Sequence, residues 1–286
     1  MSSRLMMAPS SFAFTYSSEG VSLDVNMIIS PRSPTRSDSV LSGGTIPPNP
    51  LGALWPLRSG KIQAMTEREA PSVDGLVIGI LGGTGDQGRG LAFRFARAGH
   101  PVIIGSRSQE RAQTVASLLG HHVQGMANRD AAREASVVIA AVPYEGHSDL
   151  LASLAPELAG KIVVDCVNPL GFDDRGAYPL PVPEGSAAEQ AAALLPDSRV
   201  IAAFHHVSAV LLLDPEVDSM DLDVLVLGDD RAATDLVQAL AARIPGVRGV
   251  YAGRLRNCGQ IEALTANLVS INRRYKAHAG LRITDI

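Results

Sequence analysis

The chain has 286 residues, 46% of them hydrophobic and 19% charged, with a formal net charge of −4. That balance supplies no overall basic field for nucleic acid, and no run of about 18 apolar residues would span a membrane, so a soluble, cytoplasmic protein is expected. The two cysteines, Cys166 and Cys258, stand in no CxxC or Cys/His spacing, and the histidine pairs His121-His122 and His205-His206 are neighbours, so neither a disulfide framework nor a metal centre is expected.

Residues 1–74 are rich in Ser, Pro and Arg, include Ile46-Pro-Pro-Asn-Pro50, and keep neither a helical nor a strand period. A disordered extension is expected there. Glu19 and Asp24 do not suit an acid-poor transit peptide, and Met65 offers a start close to the first strand. Trp55, the only tryptophan, falls in this stretch.

The apolar run Leu76-Val-Ile-Gly-Ile-Leu81 leads into Gly82-Gly83-Thr84-Gly85-Asp86-Gln87-Gly88, and Leu91 to Ala98 follows with helical character. A strand, a glycine-rich turn and a helix start together cradle a pyrophosphate. The glycines let backbone N–H groups approach phosphate oxygens without an intervening Cβ, and the helix start offers free N–H donors and partial positive charge.

The second strand, Val102-Ile103-Ile104, ends about 20 residues past the turn, where an NAD site would place a carboxylate on the ribose. Here the chain reads Gly105-Ser106-Arg107, with Arg111 one helical turn further. Two guanidiniums and a hydroxyl at that place suit the 2′-phosphate of NADP.

The alternation continues with a helix over Gln109–Leu119, a short strand over Val123–Met126 and a helical turn over Ala131–Ala135. Ser136 to Val142 is a continuous apolar run, as a strand covered on both faces requires; its end faces the ligand crevice, and Pro143-Tyr144-Glu145-Gly146-His147 after it falls where such folds contact the ribose or the nicotinamide, or is an ordinary strand-to-helix loop. Lys161–Asp165 forms the next strand. The Gly/Pro-rich stretch from Asn168 to about Gly185, with Phe172 and Tyr178, reads as a long loop, either a lid or mobile surface. A helix over Ser186–Leu194 and a strand over Arg199–Phe204 bring His205-His206 to the carboxyl edge of the sheet, where open α/β sheets bind ligands.

A second unit follows: strand Asp223–Leu227, helix Ala232–Ala242, strand Val247–Tyr251 and a helical segment from about Gln260 to Ala279. Ile261, Leu264, Leu268 and Ile271 recur at helical spacing and predict a buried stripe, with Thr265 at its polar margin. The expected fold is therefore α/β: a Rossmann-type doubly wound parallel sheet over 75–205 with a smaller C-terminal α/β appendage over 206–286.

These residues resemble a known family, the NADP reductases that depend on the deazaflavin coenzyme F-420 (F420). The resemblance spans about 75–286. It rests on Gly79-Ile-Leu-Gly-Gly-Thr-Gly-Asp-Gln-Gly88, Ile104-Gly-Ser-Arg107, Val142-Pro-Tyr144, Ala202-Ala-Phe-His205 and, most specifically, Gly253-Arg-Leu-Arg-Asn257 with Glu262, Leu264 and Thr265.

The resemblance implies NADP and coenzyme F420 as reactants, a homodimer, and hydride transfer between nicotinamide C4 and deazaflavin C5. It implies Thr84, His205 and Thr265 as catalytic positions beside the paired rings. Gly82 to Gly88, Ser106, Arg107, Arg111, Val142, Pro143, Tyr144, Val207 and Ala209 are the implied cofactor-binding positions. Tyr144 replaces a family tryptophan, while Ser208 and Ala263 stand where an archaeal relative has proline and serine, and take no assigned contact. Arg254, Arg256, Arg273, Arg274 and Lys276 are candidates for the anionic tail of the deazaflavin. Another NADP-linked reductase, of imine, keto or ferric substrates, and a non-catalytic NADP sensor both share the first motif and stay open at this level.

Overall fold

A computed structural model describes residues 71–120 and 122–286. Nearly all of the extension expected over residues 1–74 lies outside that range, as do Trp55, Met65 and His121.

Strand β1 (Ile78–Leu81) passes through the glycine turn into helix α1 (Asp86–Arg97), and β2 (Val102–Ser106), α2 (Gln109–Leu119), β3 (Val123–Ala127), α3 (Asn128–Glu134) and β4 (Val137–Ala140) follow. A 3-10 turn over Tyr144–Gly146 then starts α4 (His147–Leu158), which returns to β5 (Ile162–Asp165). After the hairpin β6 (Leu170–Asp173) and β7 (Gly176–Pro179) come α5 (Ala187–Leu194), β8 (Arg199–Ala202), α6 (Ala209–Leu213), β9 (Leu222–Gly228), α7 (Arg231–Ala241), β10 (Val247–Gly253) and α8 (Cys258–Tyr275).

Eight strands form one sheet in the order β10-β9-β8-β5-β4-β1-β2-β3. Strands β3 to β8 in that order pair in parallel, which is the expected doubly wound sheet, and the order reverses direction between β1 and β4. Such a reversal opens a crevice at the carboxyl ends of the strands. The C-terminal strands extend the same sheet: β9 pairs antiparallel to β8, and β10 runs parallel to β9.

Alternate residues of the strands feed two cores. Ile78, Ile80, Ile104 and Val164 meet Leu91 and Phe95 of α1 on one face. Ile103, Val138 and Val163 meet Leu151 and Leu158 of α4 on the other. Each fully buried aliphatic side chain contributes roughly 1.5–3 kcal/mol, so both faces are anchored and the strand ends are held in register.

Three expectations need correction. The stretch 168–185 is not a plain loop: it holds the β6–β7 hairpin, closed at Asp174-Arg175 by Asp173, whose Oδ1 accepts from the backbone N–H of Arg175 and Gly176. Gly171 and Pro179 read as breakers in sequence, yet an isolated two-stranded ladder tolerates both at its margins.

The last helix starts at Cys258 and stops at Tyr275, where Lys276 turns left-handed at φ 54° and the Ala277 N–H bonds back to the Asn272 carbonyl. Its buried stripe is Cys258, Glu262, Ala266 and Leu268, whereas Ile271 is exposed. Polar Glu262 hid this stripe, because its burial depends on partners from α5. The short helix α6 was not foreseen. Arg94 of α1 holds it by donating to the carbonyls of Leu211, Leu212, Asp214 and Val217.

Candidate active site

The glycine turn needs its glycines for two separate reasons. Gly82 has φ +68°, and a Cβ there would lie 2.5 Å from Val142 Cγ1 and 2.7 Å from the Ala141 carbonyl. At Gly88 a Cβ would fall 2.6 Å from the Gly83 Cα, so α1 could not seat against the turn. The turn is also fastened from the side, because Asn128 Oδ1 accepts the Gly82 N–H at 3.4 Å.

A cavity of about 630 Å³ opens over this turn at the switch point of the sheet. Gly82, Thr84, Gly85, Ser106, Arg107, Arg111, Val142 and Pro143, all singled out from sequence, line it with Glu145 and Gly146 of the loop expected at the crevice, and with Ser108 and Asn128, which the sequence did not single out. Ser108 caps α2 by accepting the Arg111 N–H, which sets where the Arg111 side chain begins. Among the described residues neither Arg107 nor Arg111 enters a salt bridge with a carboxylate, so both guanidiniums fit an added phosphate.

Other sequence candidates do not line this cavity. Gly83 and Gly88 are buried behind the turn, and Asp86 pairs with Arg89 at 2.6 Å. Gln87 donates from Nε2 to the Phe204 carbonyl at 3.2 Å and so holds the end of β8. Tyr144 packs against His147, ring centroids 6.4 Å apart.

A second group gathers at the carboxyl ends of β5 and β8. Phe204, fully buried, has φ +66°, a conformation costly for a bulky residue, and it turns the chain so that His205 follows at the sheet edge. Asn168 Nδ2 donates to the His205 carbonyl at 2.8 Å, and Asn168 Oδ1 accepts from the Thr265 hydroxyl at 3.3 Å. Asn168 thus joins the two implied catalytic positions. It was quoted only as a loop residue, because nothing in the sequence brings β5, β8 and α8 together. Val207 is buried beside this turn, and Ala209 opens α6, whose cap is Ser208.

The His205 ring is buried, with Nε2 3.5 Å from Cys258 Sγ and Nδ1 without a hydrogen-bond partner among the described residues. Burial foremost lowers its pKa, so the imidazole is neutral near pH 7. The Cys258 thiol donates to Glu262 Oε1 at 3.3 Å, and burial followed by that carboxylate pushes the thiol pKa up. Glu262 also accepts the Ala187 and Ala188 N–H groups at the start of α5. Sequence spacing gave no ligand set, yet the fold brings donor atoms of His205, Cys258 and Glu262 within 4.8 Å of one another. Hydrogen bonds account for both oxygens of Glu262 and for the thiol.

Of the basic candidates for an anionic tail, Arg254 already pairs with Asp229 at 3.4 Å. Arg273, Arg274 and Lys276 are exposed at the end of α8.

The fold defines a Rossmann-type α/β protein, with a cavity at the switch point of its sheet lined by the glycine turn and by Arg107 and Arg111. Residues 77–169 match the family described as NADP oxidoreductase, coenzyme F420-dependent. The F420-dependent NADP reductase of Methanothermobacter thermautotrophicus is 41% identical over 221 residues, covering 73% of this chain and 95% of that protein. The enzyme of the same description from Methanocaldococcus jannaschii is 40% identical, covering 73% and 98%. A crystal structure of an F420-dependent NADP reductase candidate from Arthrobacter sp. FB24 superposes with a TM-score of 0.63 at 29% identity, over 74% of this chain and 100% of that one. This chain belongs to the family of F420-dependent NADP reductases.

Proposed function

We infer that this chain transfers a hydride between NADP(H) and coenzyme F420, interconverting reduced F420 plus NADP+ with oxidised F420 plus NADPH. The observation that carries the reading is the adjacency of two half-sites along one sheet edge. The β4 end contributes Val142 and Pro143 to the nucleotide side, and the neighbouring β5 and β8 ends contribute Asn168 and His205, with Thr265 joined to them. Hydride transfer between two bound rings asks the protein for alignment, with reacting carbons roughly 3–3.5 Å apart, rather than for a nucleophile.

In this reading the turn Gly82–Gly88 takes the pyrophosphate, while Ser106, Arg107 and Arg111 take the 2′-phosphate. Val142, Pro143, Tyr144 and Thr84 bound the nicotinamide. His205 and Thr265 orient the deazaflavin, with Val207 and Ala209 beside it. Residues 75–205 act as the NADP-binding part and 206–286 complete the deazaflavin site.

We further propose a cytoplasmic homodimer. No helix of the described residues is long and apolar enough to cross a membrane, both cysteines are free, and Ile271 and Tyr275 leave apolar surface on α8. Light scattering on the purified protein tests the dimer.

The direct-transfer reading is tested with NADPH deuterated at C4. Mass spectrometry of reduced F420 should find the label on the deazaflavin ring, and loss of the label to solvent would exclude direct transfer. His205→Ala and Thr265→Ala should raise the KM for F420 at least about tenfold and leave that for NADPH within a factor of three. Unchanged kinetics in both variants would remove them from the site.

A further inference from the structure

His147, the first residue of α4, is completely buried, and so is Asp165 at the end of β5. Their side chains meet at 2.5 Å, Nε2 to Oδ2. On the other side of the ring Nδ1 faces Gln190 Oε1 at 3.3 Å, and the Gln190 amide is oriented by its Nε2, which donates to Glu184 Oε2 at 3.2 Å. Nδ1 therefore faces an acceptor, and Nε2 faces a carboxylate. This pairing suits the imidazolium, which alone donates from both ring nitrogens to an amide oxygen and a carboxylate at once.

A buried ion pair of this kind is costly. Each charge loses its hydration, and a cation at a helix N-terminus meets the positive end of the helix dipole. Two apolar side chains would fill the space without that penalty, so the pair provides geometry rather than stability. Its neighbours indicate which geometry. On the His147 side the chain is continuous with the turn Tyr144–Gly146, where Glu145 and Gly146 line the nucleotide cavity and Tyr144 packs on the imidazole. On the Asp165 side, Oδ1 accepts the Val167 N–H at 3.0 Å and shapes the turn that presents Asn168, which holds His205 and Thr265.

We propose that His147 is a positioning residue held as an imidazolium, and that with Asp165 it locks the nucleotide wall to the deazaflavin wall so that the two rings stay aligned. The proposal rests on the reading of these walls as the two half-sites of hydride transfer. Beyond Asp165 of β5, the charge of Glu262 on α8 also favours the cation. Burial alone would lower the His147 pKa, but the Asp165 hydrogen bond and charge outweigh it and the pKa is raised.

Two measurements test this. Nitrogen-15 NMR of the free wild-type protein at pH 7 should find both His147 nitrogens protonated, with the Nε2 proton far downfield. A neutral ring would overturn the proposal whatever the enzyme's activity. Single-turnover kinetics then compare wild type with D165N and H147Q, with each variant's fold checked by circular dichroism.

Misalignment of about 1 Å costs on the order of 10²-fold, so D165N should slow the hydride step by about 10- to 100-fold while the Kd values for NADPH and F420 change less than about threefold. The wild-type hydride rate should fall as pH rises through the His147 pKa, and D165N should move that fall to lower pH. A D165N enzyme with wild-type rate and pH profile would overturn the proposal. If D165N does not fold, the wild-type NMR and pH profile decide. A wild type that moves no hydride from NADPH to F420 would instead sink the functional reading.

Discussion

Replacing Arg107 and Arg111 together by alanine should convert an NADP-preferring pocket into one indifferent to the 2′-phosphate. Both guanidiniums line the cavity beside Ser106, both are exposed, and neither has a carboxylate partner among the described residues. A charge-assisted hydrogen bond contributes about 1.5–3 kcal/mol, and exposure favours the low end. Two such contacts lose about 3 kcal/mol, which is roughly 10²-fold in Kd. NADH lacks the phosphate, so its Kd should stay within about threefold, and the melting temperature should change little because no side-chain hydrogen bond or ion pair among the described residues is lost. Calorimetric titration of both nucleotides into both proteins reads this directly. Raising the ionic strength should weaken NADPH binding in the wild type more than in the variant. If NADPH and NADH affinities fall together, or neither falls, the phosphate is not held where these arginines stand.

Gly82→Ala should cost both stability and binding. Its Cβ would meet the Val142 side chain and the Ala141 carbonyl at a backbone angle an L residue rarely adopts, so a loss of about 1–3 kcal/mol and weaker NADPH binding are expected. A wild-type melting curve and Kd would mean that the turn relaxes freely.

His206 accepts the Leu225 N–H and is held neutral by burial first and the neighbouring His205 second, with its pKa lowered to about 4. The unfolded histidine takes up a proton near pH 6.5 while the folded one does not, so stability falls as pH drops from about 6.5 to about 4, by up to about 3 kcal/mol. Urea unfolding of His206→Gln should lack that part of the acid slope, and equal slopes would refute the assignment.

The nucleotide half of the site was readable because its chemistry is local. Gly82 to Gly88 sit between one strand and one helix, and Arg107 and Arg111 follow within the next unit, so period, turn chemistry and spacing place them together. The proposed deazaflavin half is not local. Asn168, His205, Cys258, Glu262 and Thr265 come from β5, the end of β8 and α8, and only the sheet order makes them neighbours. Strand reading brought His205 to the carboxyl edge and helical spacing put Thr265 at the margin of a stripe, but only the resemblance to a family gave the two a shared role.

The pairing of His147 with Asp165 left no sequence signal: His147 was legible only as the last residue of the crevice loop Pro143–His147, and an aspartate ending a strand is ordinary by itself. The β6–β7 hairpin was hidden by its own glycine and proline. The stripe of α8 was misplaced because a buried glutamate satisfied by α5 amides looks, in sequence, like a solvent-facing residue.

The most direct test of the account mixes purified protein with NADPH and oxidised F420 under anaerobic conditions and follows the visible absorbance of the deazaflavin, with NADH run in parallel. Bleaching with NADPH should be much faster than with NADH. Firm binding of NADPH without any bleaching of F420 would contradict the account.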